Sequence, residues 1–241
     1  MTPPIVSLVR NRWKNRDREL PEIPDAHLYQ PIYSPWLGTG AFGAIRDRAS
    51  RFTLVSPDRL WILYTLAMNA LLHRGDFVEC GVYKGGTAHL LATVLEEGGA
   101  GADRRLALFD TFGGMPDTDP SVDKHRAGDF ADTSLETVRR NVGPSKHADF
   151  YAGLIPDSFA AAALDGIALL HVDLDIHDSI LATLEHCYDK VVPGGVIIFD
   201  DYGFESCYGA RVAVDTFFAE RPETPLSLPS GQAVVVKAPS I

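Results

Sequence analysis

Residues 77–87 read FVECGVYKGGT, an apolar run that stops at an acid and a glycine and then turns through a glycine pair. A short apolar run bounded by turn formers reads as a buried strand, here Phe77–Gly81. Glycines after a strand let the backbone turn sharply and approach a ligand, with a helix N-terminus behind them. The same alternation extends outward in both directions. Upstream, Ser56-Pro57-Asp58 starts a helix: a side-chain cap, a proline in the first turn and an acid near the positive end. Leu60, Leu63, Tyr64, Ala67 and Leu71 then recur on one face. Downstream, strands are expected over 106–110, 148–151, 167–174 and 196–200. Helices are expected near 87–95, 134–141, 156–164, 178–191 and 209–220. Two tail strands, 226–228 and 233–237, are close enough for a hairpin that adds an antiparallel edge. Strand alternating with helix predicts the α/β class: a doubly wound, mostly parallel, seven-stranded sheet covered on both faces.

With 241 residues and 46% apolar content, the chain suits one large domain with decorations. Residues 1–52 carry Pro, Arg and aromatics (Trp13, Tyr29, Tyr33, Trp36) without sustained periodicity. They read as an irregular N-terminal arm or lid ahead of a domain over 53–241, and the aromatic arm hints at a homodimer. The balance of 22 basic against 32 acidic residues, a net charge of −10, argues against a nucleic-acid partner, because such affinity needs a basic surface. Cys80, Cys187 and Cys207 show no zinc spacing, and a sparse, odd count suits reduced thiols. The apolar run at Ile5–Val9 is too short for a secretory core, and no stretch is long enough to span a bilayer. A cytoplasmic protein with no membrane partner is expected.

Ligands of such sheets bind beyond the carboxyl ends of the strands, where strand order reverses. The turn spacing, G-x-x-x-G-G, is wrong for the dinucleotide fingerprint. Glu79, two residues before Gly81, suits a ligand with an ammonium group better than a pyrophosphate. Asp110 ends the second strand, where an acid can accept both ribose hydroxyls. The two together favour an adenosyl cofactor. The fourth strand ends in Asp173-Leu174-Asp175 and the fifth in Asp200-Asp201, all expected at the same edge of the sheet. If the fourth strand continues, alternation puts Asp173 and Asp175 on one side. Crowded carboxylates either hold protons or hold a cation. A hard dication such as Mg²⁺, bound by Asp173, Asp200 and Asp201, is the natural occupant. The long polar stretch 111–132 is expected to be a binding loop.

FVECGVYKGG, LFDTFGGMPD, VDLDIHDS and PGGVIIFDDYG, in this order, resemble the macrocin O-methyltransferase family over roughly residues 53–218. The resemblance implies the Rossmann-like class I methyltransferase fold, S-adenosylmethionine as methyl donor and Mg²⁺-assisted methylation of a sugar hydroxyl. The partner would be a saccharide or a glycosylated small molecule. It further implies that Glu79, Gly81, Tyr83 and Gly85 meet the methionine end of the donor and that Asp110 holds the ribose. Thr53 and Ser56 would close over the methionine end, Asp173, Asp200 and Asp201 would be the metal ligands, and Asp175 the general base. Leu174 and His177 depart from the family pattern, where Gly and Tyr are common. His125 in the long loop is a second candidate base and His177 a third; Tyr202 is either a substrate contact or a packed ring. Two other reactions fit parts of the pattern. Metal-assisted methylation of a catechol would use the same carboxylates, and Asp173-x-Asp175 is also the D-x-D motif of glycosyltransferases.

Overall fold

The computed structural model describes residues 34–101 and 103–239. The expectations that rest on Trp13, Tyr29 and Tyr33 lie outside these residues. In chain order the elements are α1 (Ala41–Ala49), α2 (Pro57–Ala70), β1 (Asp76–Cys80), α3 (Gly86–Glu97) and β2 (Leu106–Asp110). They continue with α4 (Leu135–Val142), β3 (Ala148–Ala152), β4 (Ile167–Val172), α5 (His177–Cys187) and β5 (Val191–Phe199). The last are α6 (Tyr208–Phe218), β6 (Leu226–Ser227) and β7 (Ala233–Val236). One seven-stranded sheet runs in the order β3-β2-β1-β4-β5-β7-β6. β1 pairs in parallel with both β2 and β4, so strand order reverses there, and β7 pairs antiparallel with β5 and with the edge strand β6. The sheet is the doubly wound one expected from the alternation.

The central strands are apolar runs because both of their faces are covered. All six residues of β4 are buried. On one face Phe77, Leu108 and Ile198 pack with Phe42 and Ile45 of α1, Leu60 and Leu63 of α2 and Leu90 of α3. On the other, Val78, Phe109, Leu170 and Phe199 pack with Ile180 and Leu184 of α5 and Val214 of α6. Burial of this kind is worth roughly 25 cal/mol per Å² of apolar surface, an upper estimate when taken from an extended chain.

Several expectations need correction. α1 falls within the stretch read as an irregular arm, and Pro35–Ile241 cluster as one compact unit, so the 52/53 boundary lies inside a single body. The helix expected over 156–164 is only a 3₁₀ turn, Asp157–Ala161, of which Ser158 and Phe159 alone are buried. Its alanine run offers no apolar face to hold a longer helix. α5 ends at Cys187, a 3₁₀ turn covers Tyr188–Lys190, and β5 already begins at Val191. There the register against β4 shifts across Pro193-Gly194-Gly195. Ser56 sits at the N-cap of α2 but makes no side-chain cap; its hydroxyl accepts the Arg59 Nε–H at 3.3 Å instead.

Candidate functional site

A cavity of about 310 Å³ opens at the carboxyl ends of β1, β2, β4 and β5. Its first wall is the turn after β1. The Gly81 N–H donates to the Phe109 carbonyl at 2.9 Å, and φ is +88° at Gly81 and +50° at Tyr83. A Cβ at Gly81 would overlap the Asp173 carbonyl, so only glycine fits between β1 and the end of β4. Asp110 fixes this turn: its Oδ2 accepts the Val82 and Tyr83 N–H groups at 2.7 and 3.0 Å, and its Oδ1 accepts the Phe112 N–H at 2.6 Å. Thr53, Gly81, Tyr83 and Asp110 all line the cavity.

Glu79, Gly85 and Ser56, expected at the same ligand, are absent from the lining. Glu79 lies opposite His171 in the β1–β4 register, and its Oε1 bonds the His171 Nδ1 at 2.9 Å inside the sheet. Both faces of a central strand are covered, so a strand-end acid can pair sideways rather than face solvent. Gly85 takes φ +88° as the N-cap of α3, and a Cβ there would press on Val138 and Val142 of α4 at 3.1 Å. Its role is to let α4 approach α3.

The second wall carries the acids. One carboxylate oxygen each from Asp173, Asp200 and Asp201 lies within 4.8 Å of the others. Asp200 and Asp201 follow β5, and Asp173 follows β4, its N–H still bonded to the Cys80 carbonyl at 2.9 Å. β4 stops at Val172, so strand alternation does not reach Asp175. Asp175 takes φ +63°, an uncommon conformation for a side-chain-bearing residue, and its N–H donates to Asp201 Oδ2 at 3.1 Å. Thus Asp173 and Asp175 diverge. Asp175 instead meets His125 Nε2 at 3.7 Å and Cys207 Sγ at 3.2 Å.

Burial raises the proton affinity of Asp173 well above the usual carboxylate range, and the Asp200 charge raises it further. Asp201 is raised likewise by burial and then by Asp175 and Asp173. Burial also raises Asp175, partly offset by the Cys207 thiol. For His171 burial alone would lower the pKa, but the Asp200 carboxylate 3.7 Å from its Nε2 and its hydrogen bond to Glu79 outweigh that and lift it to about 10. The positive groups facing the acids are this imidazolium and the Arg59 guanidinium, which pairs with Asp200 Oδ2. Gln232 Nε2 donates to the other Asp200 oxygen at 2.7 Å. The acids outnumber these cations, and the like charges add to the effect of burial on the proton affinities of Asp173 and Asp201. Three buried carboxylate oxygens with a charge deficit fit Mg²⁺, a hard cation that takes oxygen ligands.

The long loop, without helix or strand from Thr111 to Thr133, contributes Met115, Pro116, His125 and Phe130 to the lining. His125 therefore joins Asp175, as both base assignments require. His177 does not: it is the first residue of α5, its ring bonds Asp178 at 2.7 Å, and it lies outside the lining. Tyr202 bonds Asp215 at 2.7 Å, also outside the lining, and packs against the core. Arg59, Gln232 and Cys207 are site residues that sequence reasoning missed. Nothing local marks Arg59, which reaches Asp200 across 141 positions. His171 had a signal, since it lies two residues before Asp173 on a buried strand.

A family model for macrocin-O-methyltransferase (TylF) matches residues 50–227. The demethyldecarbamoylnovobiocin O-methyltransferase of Streptomyces niveus is 34% identical over 157 residues, 61% of this chain and 59% of that protein. The 8-demethyl-8-(2,3-dimethoxy-alpha-L-rhamnosyl)-tetracenomycin-C 4'-O-methyltransferase of Streptomyces olivaceus is 31% identical over 147 residues, 56% of each chain. Among solved structures, the O-methyltransferase NovP aligns with a TM-score of 0.71 at 27% identity, over 78% of this chain and 83% of its own. The chain spans somewhat more than half the length of the curated relatives it matches.

Proposed function

The chain belongs to the macrocin-O-methyltransferase family, and on that premise we propose that it methylates a sugar hydroxyl of a glycosylated small molecule or oligosaccharide. The donor would be S-adenosylmethionine, against the β1 turn and Asp110, and Mg²⁺ would be held by Asp173, Asp200 and Asp201. The observation that carries this reading is the meeting of the three acidic oxygens in the cavity that the β1 turn also lines. When bound, these groups supply an electrophilic methyl and a Lewis acid that lowers the pKa of a coordinated hydroxyl.

The remaining work falls to the chain's own residues. The Asp175 carboxylate receives the hydroxyl proton as the oxygen is methylated; burial makes it a stronger base than an exposed aspartate, which suits general-base catalysis near neutral pH. His125, 3.7 Å away, provides an onward station for that proton. Asp110 holds the turn and offers its carboxylate to the ribose. Arg59 and Gln232 orient Asp200, and the apolar rings and side chains of Met115, Phe130 and Phe204 keep water from the reacting oxygen. The rhamnosyl group in the name of the S. olivaceus relative supports a sugar acceptor. The D-x-D glycosyltransferase reading loses its basis, because Asp175 stands with His125 and Cys207 rather than with the triad.

The test is transfer of labelled methyl from S-adenosylmethionine to a panel of glycosides and catechols. Glycoside methylation that stops in chelator and returns with Mg²⁺ is expected. Full activity in chelator overturns the metal assignment, and methylation of catechols alone overturns the acceptor.

A further inference from the structure

Beside the all-oxygen triad, the same cavity holds a group of different chemistry: His125 from the long loop, Asp175 after β4 and Cys207 just before α6. Their facing atoms, Nε2, Oδ1 and Sγ, form a triangle with sides of 3.7, 3.2 and 3.7 Å. The centre of such a triangle lies about 2.1 Å from each corner, which matches zinc–nitrogen and zinc–oxygen bonds of about 2.0–2.2 Å and comes close to a zinc–thiolate bond of about 2.3 Å. His125 Nε2 and Asp175 Oδ1, at 3.7 Å, stand too far apart for a hydrogen bond, and the triangle leaves room for one small ion at bonding distance from all three.

We propose that His125, Asp175 and Cys207 form a second metal site, one that takes a borderline dication such as Zn²⁺ and is distinct from the Mg²⁺ triad. The donor sets separate the two ions. A nitrogen, a thiolate and one carboxylate favour zinc or cobalt, whereas three carboxylates favour magnesium. A second feature points the same way. His125 Nδ1 lies 3.3 Å from Asp129 Oδ2, which fixes the tautomer with the proton on Nδ1 and turns the Nε2 lone pair toward Asp175 and Cys207. A carboxylate behind a histidine in this way is the usual support of a metal-bound imidazole. The cavity gives access, since His125 and Asp175 are each about one-fifth exposed on its wall and Cys207 closes the site from the protein side. At the centre the ion would lie in the plane of its three ligands; a shift of several tenths of an ångström toward the cavity keeps all three within bonding distance and opens a fourth, tetrahedral position. Ligation of Asp175 withdraws the proposed base, so zinc at this site stops methyl transfer without displacing magnesium.

Cobalt provides the test, because thiolate-bound Co²⁺ absorbs in the near ultraviolet and oxygen-bound Co²⁺ does not. The full chain, with Mg²⁺ in excess to occupy the triad, should bind one equivalent of Co²⁺ with a thiolate charge-transfer band, and Zn²⁺ should bleach it. The band should vanish in Cys207→Ser. Asp129→Asn, a change at a half-exposed side chain, should weaken cobalt binding about 10–100-fold, the usual loss when a supporting carboxylate is removed. Absence of the band in the parent protein overturns the site, as does its survival in Cys207→Ser or its displacement by Mg²⁺. An unchanged affinity in Asp129→Asn overturns the support given to His125. The readout needs neither donor nor acceptor, so a missing band leaves the methyl-transfer reading standing, and a band on an enzyme that methylates nothing leaves this site standing.

Discussion

At the β1–β2 end of the cavity the ligand-facing groups are mostly backbone, set by the conformations of Gly81 and Tyr83 and held by one carboxylate, Asp110. At the β4–β5 end they are buried carboxyls crowded against one another, balanced in part by Arg59 and His171. The first wall is held by hydrogen bonds made without a ligand. The second is electrostatically unfinished, and a charge deficit of this kind is what a cation relieves. On the proposed function, a donor to be placed and an acceptor to be activated would call for these two different constructions.

The largest effect should come from the point where the walls touch. Gly81→Ala forces a side chain into the Asp173 carbonyl at a left-handed φ, and should cost about 3–5 kcal/mol from overpacking and backbone strain together. Thermal denaturation would read this as a melting temperature lowered by roughly 6–20 °C; a melt like that of the parent would show that the walls are not in contact in solution. Next, Asp175→Asn should lower turnover about 10²–10⁴-fold while leaving the donor's affinity nearly intact. Near-normal turnover would move the base to His125. Asp110→Asn should do the reverse, weakening donor binding roughly 10–100-fold, as expected for one charge-assisted hydrogen bond worth about 1.5–3 kcal/mol, with metal affinity unchanged by calorimetry. Parallel losses of both affinities would erase the distinction between the walls.

The smallest effect is a slope in pH. Asp173, Asp175 and Asp201 hold protons more tightly folded than unfolded, so the native chain gains protons relative to the unfolded one. Their contribution to stability is therefore full below the ordinary aspartate pKa of about 3.9 and is lost as pH rises through the folded values. His171, lifted to about 10, has the same sign, with its contribution complete below about 6.5 and gone once pH passes about 10. Exposed carboxylates such as Asp119 and Asp129 are lowered by local hydrogen bonds and act oppositely, but solvent screens them and Mg²⁺ does not touch them. The melting temperature of metal-free protein should fall with rising pH, and Mg²⁺ should flatten that fall. Identical slopes with and without Mg²⁺ would break the contrast.

Much of the fold was legible because its determinants are local. β1, β2, β4 and β5 are apolar runs ended by turn residues, and the acids at their ends follow from the strand boundaries. α1 was not legible, because AFGAIRDRA has too few periodic apolar positions and becomes a helix by packing Phe42 and Ile45 against α2 and α3. The meeting of Asp173, Asp200 and Asp201 was legible from two strand ends alone. Glu79 was misread because its destination depends on which residue of β4 lies opposite, a fact of register that no stretch of sequence states. Arg59 and Cys207 were invisible for the same kind of reason: each reaches the acids through the fold, and neither carries a neighbouring signal. Cys207 in particular lacks any partner cysteine or histidine at metal-binding spacing, yet His125 arrives beside it from 82 positions away.

The positive φ at Asp175 bears on how this protein, with the proposed activity, would respond to selection. Glycine would occupy that backbone comfortably, so a search for heat-resistant variants has a ready route at this position and would discard the carboxylate in taking it. Robustness and turnover therefore pull in opposite directions at a single codon.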